Sequence, residues 1–203
     1  MSNVELNLVD LSNEEILELF KKHQALKEGH FLLTSGRHSN RYLQCALVLQ
    51  YPAVAEKLCR QLIKKIKIAI QDIDIVIGPA IGGITLAYEI GRQLGAVALF
   101  AEREDKVMTL RRGFSIPQGA KVLVVEDVIT TGGSVKETIQ VVKEYGGEVV
   151  GVASLVDRSG GKVDLGYPLY SLLSMEVVSY EADACPLCQQ GLPVVKPGSR
   201  KIR

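Results

Sequence analysis

The stretch VLVVEDVITTGGS, residues 122–134, carries the most informative pattern in this chain. Its first part, Val122–Val125, is a continuous apolar and β-branched run, which is typical of a strand covered on both faces of a parallel sheet. Two acids, Glu126 and Asp127, come next, followed by a loop of hydroxyl and glycine residues. Apolar residues at helical spacing then predict a helix over 134–145. The stretch therefore predicts the strand, loop and helix of an α/β protein.

Strand and helix patterns alternate on both sides of this stretch. They predict an α/β fold with a mostly parallel, twisted sheet and helices on both faces. The predicted elements are a helix over 52–67, a strand over 73–77, a helix over 83–94, strands over 96–101 and 121–126, a helix over 134–145, and strands over 147–156 and 169–178.

The first fifty residues predict a small N-terminal cap. Ser12 and Glu15 have the spacing of a capping box, which predicts a helix over 12–27. Short apolar runs around a turn over 29–45 predict a cap hairpin. We expect one domain over 1–203, divided into a cap over 1–50, a core over 51–180 and a tail over 181–203.

Composition excludes several classes of protein. The chain has 203 residues, 47% of them hydrophobic and 23% charged, and a net charge of +1, which predicts neither a nucleic-acid surface nor an acidic tail. We find no secretory signal pattern and no apolar run long enough to cross a membrane. The simplest expectation is a cytoplasmic enzyme whose four cysteines stay reduced.

The loop after the acids has the chemistry of a phosphate site. A helix N-terminus offers free N–H groups, glycines allow close approach, and the hydroxyls of Thr130, Thr131 and Ser134 add donors. The loop lacks the lysine of a Walker motif, which favours a monophosphate over a triphosphate. Glu126 and Asp127 could accept hydrogen bonds from a ribose diol. The alternative is a pair of solvated acids before an ordinary strand-to-helix turn.

In this context the stretch resembles the motif with which type I phosphoribosyltransferases bind 5-phosphoribosyl 1-diphosphate (PRPP). The resemblance implies the type I phosphoribosyltransferase fold. It also implies that Glu126 and Asp127 hold the ribose hydroxyls and that the following loop holds the 5′-phosphate. The loop residues concerned are Val128, Ile129, Thr130, Thr131, Gly132, Gly133 and Ser134.

A second strand, loop and helix occurs at IDIVIGPAIGGITLAYEIGRQLG, residues 73–95. Its glycines predict either a second anion-binding loop or a tight turn that glycine eases for steric reasons. The resemblance assigns the diphosphate of PRPP to this loop, at Ala80, Ile81, Gly82 and Gly83. Many members that resemble orotate phosphoribosyltransferase have a lysine here, so in this chain backbone amides must do more of the binding.

The charged connection REDKVMTLRRGF, residues 103–114, predicts a solvated loop or a mobile lid that delivers cations to the leaving diphosphate. The resemblance supports a lid that reaches across a homodimer into the neighbouring site. It transfers catalytic and PRPP-binding roles to Arg103 and Lys106 alone, and Arg111 and Arg112 are candidates to substitute for them. Two family features are missing. The Arg-Lys pair reads Arg103-Glu104 in this chain, and the segment contains no histidine.

The base site is predicted from Arg158, which follows a strand at the carboxyl edge of the sheet and could pair with a carboxylate. Orotate has a carboxylate, whereas adenine, hypoxanthine and uracil have none. The segment FLLTSGRHSNRYL, residues 31–43, resembles the base-covering segment of orotate phosphoribosyltransferases. The resemblance places Tyr42 against the base, with Thr130 as a further orotate contact, and Thr34 stands where relatives often have lysine.

The tail contains Cys185-x-x-Cys188, a spacing that suits a metal or redox site. Structural zinc needs four ligands, and the sequence has no second pair with matching spacing. Pro186 and the following glycine and proline predict a loop, and His23, His30 and His38 are expected to be solvated or to pack.

Together these features predict transfer of the phosphoribosyl group from PRPP to orotate, giving orotidine 5′-monophosphate and diphosphate. The expected cofactor is Mg²⁺, held mainly by PRPP oxygens and water, with no metal ligand supplied directly by the protein. The expected partners are PRPP, orotate and a second copy of the chain, with no nucleic acid and no membrane. The alternatives are a purine or xanthine phosphoribosyltransferase and a PRPP-sensing nucleic-acid-binding regulator.

Overall fold

The computed structural model describes residues 10–33 and 35–197. In chain order the elements are α1 (Asn13–Lys22), β1 (Leu26–Leu32), β2 (His38–Leu43), α2 (Ala46–Leu49), α3 (Pro52–Lys67), β3 (Ile75–Pro79), α4 (Gly82–Leu94), β4 (Val97–Glu104), β5 (Val107–Leu110), β6 (Lys121–Ile129), α5 (Gly133–Glu144), β7 (Glu148–Asp157), β8 (Leu169–Ser174), β9 (Ser179–Tyr180) and α6 (Pro186–Gln189).

Six of the strands form a central sheet in the order β5-β4-β3-β6-β7-β8. All neighbours are parallel except β5, which runs antiparallel to β4. The predicted mostly parallel α/β sheet is therefore confirmed. β6 lies between β3 and β7, so the carboxyl end of its apolar run opens at the middle of the sheet edge, where ligands of α/β proteins bind.

Helices cover both faces of this sheet, and β6 directs alternate apolar side chains into the two cores that they form. Leu123 and Val125 pack in a core that also contains residues of α3 and α4, including Leu62 and Ile90. Val122 and Val124 point to the opposite core with α5. All four β6 residues are fully buried. This continuous burial is the physical reason for the unbroken apolar run in the sequence.

The cap is a second sheet with the order β1-β2-β9, antiparallel throughout. The predicted hairpin is present as β1 and β2, and β9 adds a strand from near the far end of the chain. Arg37 fixes this strand by donating from Nε to Ser179 Oγ over 2.8 Å and from Nη2 to the Ser179 carbonyl over 2.7 Å. Arg37 also pairs with Glu181.

Three local predictions were wrong. The first helix ends at Lys22 rather than Lys27, because Gln24 adopts a left-handed conformation and Leu26 begins β1. The predicted loop over 103–114 instead contains the hairpin β4–β5, whose buried Met108 and Leu110 alternate with less buried residues.

The tail also differs from its prediction as a plain loop, since Pro186 begins the one-turn helix α6. His30 and His38, expected to be solvated or to pack, are buried in the cap and lie beside Cys185 and Cys188. Among the helices of residues 10–33 and 35–197, none combines the length and the hydrophobicity that a membrane span requires.

Candidate active site

The loop between β6 and α5 lines a cavity of about 210 Å³. The lining includes Glu126, the whole of residues 128–135, and two side chains from neighbouring elements, Arg103 and Glu137. Every predicted phosphate-loop residue from Val128 to Ser134 therefore faces one cavity. Glu126, Val128 and Ile129 still pair with β7. The acids therefore lie in the last part of the strand, whereas the sequence predicted them just past its end.

The start of α5 is open for an anion. Its N-cap is Gly132, with φ of 74°, and no side chain caps the helix. A Cβ at Gly132 would also lie 2.8 Å from the Leu165 side chain, so glycine is required here by both conformation and space. The uncapped N–H groups and the helix dipole favour a phosphate at this point.

Glu126 and Asp127 are adjacent acids in a largely buried position. The Asp127 N–H lies 3.2 Å from Glu126 Oε1, and the Val128 N–H donates to Asp127 Oδ1 over 2.8 Å. Burial, and then the charge of Asp127, raise the pKa of Glu126 to about 9. Burial also raises the pKa of Asp127. Without a ligand, the pair cannot readily hold two negative charges.

Such a pair suits a ligand that brings hydroxyl donors or positive charge. Protein-bound Mg²⁺ is usually coordinated by one or two carboxylates together with substrate oxygens and water. A ribose diol supplies two donors to the same oxygens. The acid pair therefore fits both a ribose and a divalent cation carried by the substrate.

The second predicted loop lies directly beside the acids. The Ala80–Ile81 peptide bond is cis, and α4 begins at Gly82. A Cβ on Gly82 would lie 2.7 Å from Asp127 Oδ1, so glycine is needed for this approach. Ile81 is 85% exposed, which leaves the loop surface open to a ligand. The two loops predicted from separate stretches of sequence thus meet at Asp127.

The predicted lid cations are separated by the structure. Arg103 lines the cavity, forms a 2.6 Å ion pair with Glu137 and donates to the Lys106 carbonyl over 3.1 Å. Lys106 lies at the tip of the β4–β5 hairpin, with φ of 72°, and is not among the residues that line the cavity. The hairpin therefore places Arg103, but not Lys106, at the cavity of its own chain.

The two substitute cations are held by acids of β4. Arg112 forms bonds of 2.8 and 3.0 Å to the two carboxylate oxygens of Glu102. Arg111 pairs with Glu104 at 3.0 Å. Glu104, noted in the sequence as a departure from the family pattern, therefore has a partner within its own hairpin. These pairs lower the net positive charge that the hairpin presents.

Arg158 is half-buried, and its Nε has no hydrogen-bond partner among the described residues. Burial lowers the pKa of Arg158, and Cys45 and Tyr42 are close enough to act on its charge. A buried guanidinium N–H without a partner is costly, and a bound carboxylate would relieve that cost. The structure therefore brings together the predicted base residues Arg158 and Tyr42.

The residues predicted to contact the base together with Arg158 are Thr130, Tyr42 and Thr34. Thr130 lines the cavity. The Tyr42 hydroxyl donates to Gln44 Oε1 over 2.9 Å, and its ring centroid lies 5.8 Å from that of Phe31. Thr34 lies outside the described residues.

Two supporting residues were missed by the sequence analysis. Asp157 is buried and accepts hydrogen bonds from the N–H groups of Ser159 and Gly161, so it shapes the turn that presents Arg158. Cys45 is buried, with Sγ 3.8 Å from the Asp127 carbonyl, and it links the cap to the acid strand. The D-x-S signal of an Asx turn was present for Asp157. The sequence contained no signal for Cys45.

Comparison with known proteins agrees with this geometry. Residues 48–184 match the model of the phosphoribosyl transferase domain family. The chain belongs to the phosphoribosyltransferase family. This confirms the family and the enzyme class that the sequence predicted.

Relatives and solved structures refine the placement. The chain is 62% identical to the orotate phosphoribosyltransferase of Caldicellulosiruptor saccharolyticus, over 95% of this chain and 100% of that protein. Further curated relatives at 55–61% identity have the same name. The crystal structure of orotate phosphoribosyltransferase from Aeropyrum pernix matches with a TM-score of 0.66 and 28% identity, over 79% of this chain and 93% of that one.

The fold alone does not select the base. Adenine phosphoribosyltransferase from Thermoanaerobacter pseudethanolicus matches with a TM-score of 0.62 at 17% identity, over 77% of this chain and 99% of that one. That likeness shows the shared fold. The orotate branch predicted from the sequence is confirmed by the closely similar relatives, which share that name over most of the chain.

Proposed function

We propose that this chain transfers the 5-phosphoribosyl group of PRPP to orotate, giving orotidine 5′-monophosphate and diphosphate. The observation that carries this proposal is the buried, unpartnered Nε of Arg158, a residue whose charge Tyr42 is close enough to influence. A planar guanidinium in this position can bind the orotate carboxylate through two parallel hydrogen bonds. Tyr42 would cover the base, and Thr130 would contact it from the phosphate loop.

The ribose and its phosphate would bind at the end of β6. Glu126 and Asp127 would accept hydrogen bonds from the ribose hydroxyls. The loop of residues 128–134 would hold the 5′-phosphate at the uncapped N-terminus of α5. In this arrangement the anomeric carbon would lie between the base and the second loop. It would also put two carboxylates near the ring, where positive charge develops as the bond between C1 and the diphosphate breaks.

The diphosphate would leave toward residues 80–83, beside Asp127. Backbone N–H groups of this loop and the guanidinium of Arg103 would balance the charge that the leaving group gains. We propose Mg²⁺ as the cofactor, which when bound neutralises charge on the diphosphate. The ion would be held mainly by PRPP oxygens and water, with Glu126 and Asp127 engaged by the ribose hydroxyls.

The assembly follows the family resemblance. We propose a homodimer in which the β4–β5 hairpin acts as the lid and Lys106 serves the neighbouring site, and a cytoplasmic location. Purine and xanthine bases are weaker candidates because they have no carboxylate to pair with Arg158.

A direct assay tests the reaction. Purified protein with PRPP and Mg²⁺ should deplete orotate absorbance and release diphosphate, whereas adenine, hypoxanthine, xanthine and uracil should be poor acceptors. If orotate is unchanged while a purine base is consumed, the proposed base is wrong. If none reacts but PRPP changes affinity for nucleic acid, the regulator is favoured.

A further inference from the structure

Four side chains from opposite ends of the described chain meet in the cap. They are His30 of β1, His38 of β2, and Cys185 and Cys188 around α6. One ligand atom of each lies within 4.8 Å of all the others. His30, His38 and Cys185 are buried, whereas Cys188 is exposed. The cluster is separate from the acid pair and the phosphate loop, and the proposed reaction does not use it.

The distances fit the edges of a tetrahedron around a metal ion. His30 Nε2 lies 3.5 Å from Cys185 Sγ and 3.7 Å from Cys188 Sγ, and His38 Nδ1 lies 3.3 Å from Cys188 Sγ. With Zn–S of about 2.3 Å and Zn–N of about 2.0–2.1 Å, tetrahedral N···S edges are about 3.5–3.6 Å.

The two histidine nitrogens lie closer together, at 2.8 Å. A tetrahedral N···N edge is about 3.3–3.4 Å, so an ion would separate them by roughly half an ångström. This is a small movement for two side chains. The cluster therefore needs only local adjustment to close around a metal.

The orientation of His30 is already that of a metal ligand. Its Nδ1 lies 2.8 Å from the Leu192 carbonyl, which can only accept a hydrogen bond, so Nδ1 holds the proton. The lone pair of Nε2 is thereby directed at His38 and the two cysteines. Metal-binding histidines generally have such an outer partner, which fixes the tautomer and the ring.

The backbone holds both halves of the cluster in place. His38 pairs with Leu32, two residues after His30, so the two imidazoles lie on one face of the cap sheet. On the tail side, the Val195 N–H donates to the His30 carbonyl over 2.8 Å, and the Leu32 N–H donates to the Val195 carbonyl over 2.9 Å. At Val195 the tail thus runs alongside β1 as a parallel bridge, which keeps the preceding cysteines near the histidines.

We propose that His30, His38, Cys185 and Cys188 form a structural metal site whose preferred ion is Zn²⁺. Two thiolates and two imidazoles in a tetrahedron favour zinc over magnesium or calcium, which prefer oxygen ligands. With four protein ligands no position stays open for substrate, so the ion is structural rather than catalytic.

The site would fasten the C-terminal segment to the cap. The cap contains Tyr42, which lies on the same strand as His38. A metal ion bound between β2 and the tail would therefore stabilise the strand that positions Tyr42 at the base site. It would also explain why a chain expected to keep its cysteines reduced places two of them against two buried histidines.

Metal analysis of the full-length protein tests this site. Protein purified under reducing conditions without chelators should contain about one zinc ion per chain, measured by inductively coupled plasma mass spectrometry. Cys188→Ser and His38→Gln should lose most of it. Cys59→Ala and His23→Ala remove a thiol and an imidazole outside the cluster, and both should retain it.

A second measurement uses only the wild-type protein, so it does not depend on whether the variants fold. Cobalt added to metal-depleted wild-type protein under reducing, oxygen-free conditions should give intense visible bands typical of tetrahedral sulfur–nitrogen coordination, and zinc should displace them. Three results would overturn the proposal. They are wild-type protein that binds neither metal, zinc retained in Cys188→Ser, and a Cys185–Cys188 disulfide without metal under these conditions.

Discussion

Gly82 and Asp127 are in such close contact that the Cβ of any other residue at position 82 would lie 2.7 Å from Asp127 Oδ1. The Asp127 carboxylate cannot easily move away, because the Val128 N–H holds it at 2.8 Å. This contact joins the two loops that the sequence predicted separately. The position of the loop at Gly82 therefore constrains that of Asp127, and the reverse is also true.

We expect Gly82→Ala to impair catalysis without unfolding the protein. Gly82 begins α4, where alanine is a better helix former than glycine, so the fold should tolerate the change. The added methyl should displace Asp127 and lower kcat/KM for PRPP by about 10-fold or more. Thr85→Ala, an exposed site on the same helix, is the control. Wild-type kinetics in Gly82→Ala would show that the contact is not needed.

The raised pKa of Glu126 predicts an unusual dependence of stability on pH. An unfolded glutamate ionises near pH 4.5, whereas folded Glu126 keeps its proton to about pH 9. Between these values the folded state binds more protons, so its stability falls as pH rises. Glu126→Gln should remove this slope and stabilise the ligand-free protein at pH 8 by roughly 1–3 kcal/mol, while activity is lost.

Chemical denaturation of ligand-free wild type and Glu126→Gln at pH 5 and pH 8 measures this effect. Glu148→Gln, an exposed acid at the start of β7, is the matched control and should leave the slope unchanged. A Glu126→Gln protein that is less stable than wild type at pH 8 would contradict the burial of a protonated carboxyl.

Arg158→Ala should separate the two substrates. The KM for orotate should rise about 10- to 100-fold, since a buried bidentate charge pair is lost, and the KM for PRPP should change little. Arg158→Lys should rescue only part of the effect because ammonium lacks the planar fork. Arg60→Ala, a partly buried arginine on α3, should leave both constants near wild type. Equal changes in both constants would refute the assigned role.

Lys106 provides a test of the shared active site. If Lys106 acts in the neighbouring copy, Lys106→Ala and Asp127→Asn should each be inactive alone. An equal mixture, dissociated and reassembled, should regain about a quarter of wild-type activity, because half of the dimers are mixed and each has one intact site. Equal mixtures of Arg103→Ala with Asp127→Asn serve as comparison, since Arg103 lines its own cavity. No recovery with Lys106→Ala would mean that Lys106 acts within its own chain or not at all.

The sequence by itself determined the features that depend on neighbouring residues. The apolar run Val122–Val125, the acids after it and the glycine loop predicted a buried strand, a ligand pair and an anion site, because burial, charge and helix capping are local patterns. The order of strands and helices followed for the same reason. The alternation in β5 was also present but short, and the charges around it favoured a loop.

Only the tertiary structure decided what residues far apart in the chain do together. Gly82 meets Asp127 across two loops, and Tyr42 of the cap lies close enough to Arg158 to act on its charge. His30 and Cys185, 155 positions apart, share one cluster. Local spacing contains no record of such contacts, since they arise when the sheet order and the path of the tail bring distant segments together. The anion loop could therefore be predicted from the sequence, whereas the cluster of two histidines and two cysteines could be identified only from the fold.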